Sequence, residues 1–128
     1  MPTKLPLFVF GEEALGIDEQ RDYVARLPAS LRDREALFTA LQQTLRLPNY
    51  FGRNWDALSD CLCDLSWIKQ HRVVLLHEDI PQLDPKTLKV YLDVLSECVQ
   101  DWKPNEEHQL VVVFPEDATN AISDILQQ

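Results

Sequence analysis

The chain has 128 residues, 45% of them hydrophobic and 26% charged, which suits one soluble globular domain spanning residues 1–128 that buries a core without staples. Its 21 acidic residues against 12 basic ones leave a net charge of -9, which repels nucleic acid and anionic membrane surfaces and favours a basic protein as partner. Three cysteines, Cys61, Cys63 and Cys98, are too few and too unevenly spaced for a disulfide framework or a zinc site, and read as reduced, mostly buried thiols of a cytoplasmic protein.

The N-terminus carries Lys4 and a short apolar run from Leu5 to Phe10, interrupted by Pro6 and followed by acidic residues. It is too short, and too acidic downstream, for a secretory signal. Within it Leu7 to Phe10 suits a buried strand, Gly11 to Gln20 reads as an acidic loop or partial helix, and Tyr23 to Leu27 is a weaker strand candidate. Glu35 to Leu45 sets Leu37, Leu41 and Leu45 on one helical face, entered through Ser30 or Asp33 and stopped before Leu47-Pro48. A second helix is predicted over Asn54 to Leu65, with Asn54 as its N-cap. Val73 to Leu76 and Leu110 to Phe114 are continuous apolar runs, the pattern of strands covered on both faces. Between them Asp84-Pro85 opens a helix to about Trp102, with Leu88, Leu92, Leu95 and Val99 as its stripe and Lys103-Pro104-Asn105 as its stop. Pro115-Glu116-Asp117 starts a short last helix holding Ile122, Ile125 and Leu126. Helices alternating with buried strands predict an α/β domain with a small, mainly parallel sheet.

Residues 47 to 65 are the most informative. Asp56, Asp60 and Asp64 follow one another at i, i+4 spacing, drifting only about 40° per step around a helix, so the three share one stripe. Trp55, Leu58, Leu62 and Leu65 recur on the other side. Like charges at that spacing cost a few tenths of a kcal/mol each, and no lysine relieves them, which points to an external cationic partner. The preceding turn, Pro48 to Gly52, uses Gly52 where positive φ or close packing is expected and presents Tyr50 or Phe51 beside the carboxylates. That arrangement suits a protein interface accepting Arg, Lys or His; it equally suits core aromatics beneath a solvated acidic face.

Catalysis fits less well. Carboxylates on one exposed face lack the pKa differentiation of an acid–base pair, and a magnesium site for phosphate transfer would need more positive groups than Arg53. Gly11, Gly16 and Gly52 cannot build a phosphate loop, and His71, His77 and His108 are scattered, reading as ordinary surface or partly buried residues. The reading therefore includes no catalytic residue, no metal and no cofactor.

The run Leu47-Pro48-x-Tyr50-Phe51-Gly52-x-Asn54-x-Asp56-Ala57-Leu58-x-Asp60-Cys61-Leu62 closely resembles the signature of the barstar family, intracellular inhibitors of barnase-type ribonucleases. The similarity extends in pattern over roughly residues 22 to 114. It implies a three-layer α/β fold, a small mainly parallel sheet packed by helices, to which this chain adds an N-terminal extension and a short C-terminal helix. It also implies a partner-binding set. Asp56 and Asp60 match the aspartates inserted into the ribonuclease active site, Asp60 taking the place of a substrate phosphate. Tyr50 matches the aromatic packed on the enzyme's general-acid histidine, and Asn54 the asparagine where the helix begins. Glu97 and Asp101 match peripheral acidic contacts on the long helix, and Cys61 a buried structural cysteine. Ser59, Arg53 and Cys63 stand where the family carries a tryptophan, an acidic residue and a threonine. The implied partner is a basic, extracellular-type, barnase-like ribonuclease or another basic protein, in an immunity role. The alternative is a regulatory binding module with a non-nuclease partner.

Overall fold

The computed structural model describes residues 8–103 and 105–127. Leu7 and the rest of the N-terminal apolar run before Phe8, and Pro104 in the expected helix stop, lie outside the described residues. The strands are β1 (Val9–Phe10), β2 (Tyr23–Leu27), β3 (Arg72–His77) and β4 (Gln109–Phe114). The helices are α1 (Arg34–Leu45), α2 (Trp55–Leu62), α3 (Pro85–Asp101) and α4 (Thr119–Leu126), with single 3-10 turns at Glu12–Ala14 and Glu116–Ala118.

The four strands form one sheet in the order β1-β4-β3-β2, every neighbouring pair parallel. Parallel neighbours need crossover connections, which α1 and α2 provide between β2 and β3, and α3 between β3 and β4. Asp33 caps α1, its side chain accepting from the Ala36 N–H at 2.8 Å, and Asp84 caps α3, accepting from the Thr87 N–H at 3.1 Å. α1 ends in a left-handed Arg46, two residues before Pro48.

Successive side chains in a strand point to opposite faces. On one face Ala25, Leu27, Val73, Leu75, Leu110, Val112 and Phe114 join Leu37, Phe38 and Leu41 of α1, Leu58 and Leu62 of α2, and Tyr91, Leu92 and Leu95 of α3 in the main core. α4 adds Ile122. The other face is a smaller cluster of Val74, Leu76, Val111 and Val113, closed by Val9, Val24, Leu15 and Ile17. The chain therefore has three layers, with helices on one side of the sheet and the N-terminal acidic segment on the other. Ion pairs fasten that segment: Arg26 to Glu19 at 3.0 Å, and Arg72 in a two-pronged contact with Asp22 at 2.6 and 3.1 Å. The Arg72 guanidinium holds the buried Asp22 carboxyl below the usual carboxylate range.

His77 departs from the sequence expectation, being almost fully buried rather than at or near the surface. Its ring stacks on Phe114 at 4.0 Å between centroids. Nδ1 lies 3.0 Å from the Val113 carbonyl, which can only accept, so Nδ1 carries the proton and Nε2 accepts from the Tyr91 hydroxyl at 2.7 Å. Burial pushes this imidazole down to about 4. An unfolded histidine titrates near 6.5, so between those values the unfolded chain binds a proton that the folded chain does not. Stability is then fully present above about pH 6.5 and lost as pH falls toward 4, by on the order of 3 kcal/mol. Urea midpoints taken between about pH 7 and pH 5 should fall steadily, and His77→Gln should flatten that decline; equal slopes would remove the assignment.

Candidate functional site

The turn before α2 sorts the two aromatics. The Phe51 N–H closes the turn onto the Pro48 carbonyl at 2.9 Å, and the Phe51 ring enters the core edge-on to Phe38, 5.5 Å between centroids. Tyr50 is left 53% exposed, and its hydroxyl donates to the Asp64 carboxylate. Partial burial, then that bond and the Asp64 and Asp60 charges, hold the phenol well above its ordinary pKa.

Gly52 does not take the positive φ expected of it, and a Cβ there would meet only ordinary contacts, Asn54 Nδ2 at 3.5 Å and the Ala57 Cβ at 4.0 Å. The left-handed residue is Arg53, at φ 56°. Its guanidinium reaches back to α1, donating to Gln42 Oε1 at 2.7 Å and to Glu35 Oε1 and Thr39 Oγ1 at 3.1 Å each. Those bonds offset the backbone strain and place the positive charge against Glu35, whose carboxyl it holds below the usual range.

Asn54 caps α2 as expected, its side-chain oxygen accepting from the Ala57 N–H at 2.8 Å. Trp55 packs edge-on to Phe38 at 4.9 Å, while Leu58, Cys61 and Leu62 are fully buried. These contacts turn Asp56 and Asp60 outward, and both are exposed. The helix stops at Leu62 rather than Leu65, so Asp64 is not on it. The cause is tertiary. The Trp102 indole donates to the Leu62 carbonyl at 2.9 Å, satisfying a helix-end acceptor, and Leu65 takes φ 52° to bury its side chain completely. The expected stripe is therefore two carboxylates on α2 and a third on the following turn, where Asp64 also accepts from the Ser66 hydroxyl at 3.2 Å.

α2 packs chiefly on α3, whose Glu97 and Asp101 are both exposed. Asp101 lies close enough to Cys63 for its charge to add to burial in raising that thiol. Cys61, buried on the flank nearer Tyr50, is pushed up to about 11 by burial and then by Asp60 and Asp64. Among the described residues, no ion pair involves Asp56, Asp60, Asp64, Glu97 or Asp101; the ion pairs that do form join Arg21, Arg26, Arg34, Arg53, Arg72 and Lys89 to Glu12, Asp18, Glu19, Asp22, Glu35 and Asp93. Nor, among those residues, do three or more His, Cys, Asp or Glu side chains gather as metal ligands would. No described helix is long and apolar enough to cross a membrane.

Two features escaped the sequence. Ser59 faces α3, its Oγ 3.7 Å from Cys98 Sγ, and Cys63 Sγ lies 3.1 Å from Cys98 Sγ. No spacing signal links residues so far apart in the chain.

A parallel α/β sheet carrying its helices on one face, with a short acidic helix seated on them, defines the class of fold. A sequence model of the family described as Barstar (barnase inhibitor) matches residues 26–116, from within β2 to just past β4, and the chain belongs to that family. No curated protein matches the chain.

Asn54→Ala should lower unfolding free energy by about 1 kcal/mol, while Asp60→Asn should leave it unchanged or raise it by a few tenths, because only like-charge repulsion is removed. Urea unfolding of both variants checks this; a large loss for Asp60→Asn would show that the carboxylate is structural.

Proposed function

We propose that this protein is a stoichiometric inhibitor of a basic ribonuclease, acting in the cytoplasm of the producing cell as an immunity protein and catalysing nothing itself. The observation that carries this reading is the exposed pair Asp56 and Asp60, held on a capped helix without any cation of their own among the described residues. A ribonuclease binds RNA phosphate with arginine, lysine and protonated histidine, and fixed carboxylates satisfy the same donors by charge-assisted hydrogen bonds. Asp60 takes the central phosphate position and Asp56 the neighbouring one. Tyr50, half-exposed and tethered to Asp64, supplies an aromatic surface for the enzyme's histidine. Asn54 fixes the start of the helix, and Glu97 and Asp101 complete the rim. Arg53, drawn onto Glu35 and Gln42, does not oppose a basic partner at this face.

One observation favours the second reading, a regulatory module with a non-nuclease partner. Ser59, in place of the family's tryptophan, turns toward Cys98 and offers little outward contact area. Titrating the protein into RNA-cleavage assays of small basic ribonucleases, together with capture of partners from the native cytoplasm, separates the two. Stoichiometric loss of cleavage supports inhibition, whereas capture of a non-nuclease and no loss supports regulation.

With such an enzyme in hand, Asp60→Ala should weaken binding by more than about 2 kcal/mol, the hot-spot threshold whose upper range was set in this same family, and Glu97→Ala by much less. Equal small losses would count against the assigned geometry. Association should slow steeply with added salt, because steering by a net charge of -9 is screened; a flat dependence would remove the electrostatic mechanism.

A further inference from the structure

The seam between α2 and α3 holds two thiols that the acidic face does not use. Cys63 closes the C-terminus of α2 and is half-buried, with access from solvent, whereas Cys98 is fully buried on α3. Their sulfurs are 3.1 Å apart, already close to the roughly 2 Å of a disulfide bond. Cys98 Sγ also sits 3.5 Å from the Ser59 carbonyl and 3.7 Å from the Ser59 Oγ, so it is held against α2 at the point where Cys63 follows. Cys61, although near in sequence, lies on the flank toward Tyr50 and is not part of this pair.

We propose that Cys63 and Cys98 are a redox modification site, converted to an intramolecular disulfide by a small-molecule disulfide such as oxidised glutathione. Cys63 gives up its proton and its thiolate attacks one sulfur of the small disulfide, breaking that S–S bond and releasing one small thiolate. Cys98 then gives up its proton and attacks Cys63 Sγ, expelling the second small thiolate. Two protein thiols are oxidised, one small disulfide is reduced to two thiols, and the two released protons balance the two thiolates. Burial holds both protein thiols above the ordinary cysteine range. Little thiolate is present at neutral pH, so the bond forms slowly; the reduced form gains no thiolate stabilisation, so the bond resists reduction once made. The link would clamp α2 to α3, two helices distant in the chain, whatever partner the acidic face takes.

The test is incubation of the reduced, folded chain with excess oxidised glutathione, followed by intact mass, peptide mapping and thermal unfolding. Expected are loss of two hydrogens, a Cys63–Cys98 linked peptide, Cys61 free to alkylate after unfolding, and a rise in Tm on the order of 10 °C. Cys63→Ser and Cys98→Ala should each abolish the link. Cys63→Ser changes only a half-buried position, so it remains informative if Cys98→Ala fails to fold. A persistent glutathione adduct on Cys63, a link through Cys61, or no reaction would each overturn the proposal.

Discussion

Everything at the acidic face depends on how α2 is seated. Leu58 and Leu62 are fully buried, and burial of each contributes about 1.5–3 kcal/mol; Trp55 adds its contacts with Phe38. Against this the repulsion between Asp56 and Asp60 amounts to a few tenths of a kcal/mol. Packing wins by an order of magnitude, so the fold can hold two unpaired carboxylates outward without losing its helix. The outward pair of carboxylates is thus one that the core tolerates at almost no structural cost.

The layer on the opposite face of the sheet draws on residues outside the family match. The family match begins at residue 26, yet β1, Leu15, Ile17 and Asp22 all precede it. These residues close the face of the sheet that the helices leave open, and Arg72 on β3 ties them down through Asp22 and the Gly16 carbonyl. The N-terminal extension therefore covers apolar strand residues that would otherwise face water.

Much of this was legible in the sequence because the signals were local. Asn54, Asp33 and Asp84 are recognisable as caps, and Val73–Leu76 and Leu110–Phe114 as strands, since each depends on neighbours a few residues away. β2 was weaker because it is an edge strand, with Arg26 exposed among buried neighbours. The misreadings all involve partners distant in sequence. Trp102 ends α2 from across the α2–α3 seam, and Arg53 accepts a left-handed backbone because α1 receives its side chain. His77 is buried because Tyr91 and Val113 meet it. Among the binding candidates, Tyr50 was separated from Phe51 only by the space that Phe38 leaves for one ring.

The bond from the Trp102 indole to the last carbonyl of α2 has an optical consequence. Trp102 also lies edge-on to His108, and Trp55 sits at the other end of the same helix against Phe38. Two intrinsic fluorophores therefore bracket the segment that bears Asp56 and Asp60. Lifting or tightening of this segment would change the polarity around one of these indoles and so shift the emission of the unlabelled protein, over the contribution of Trp67, whose indole is held by the Leu45 carbonyl.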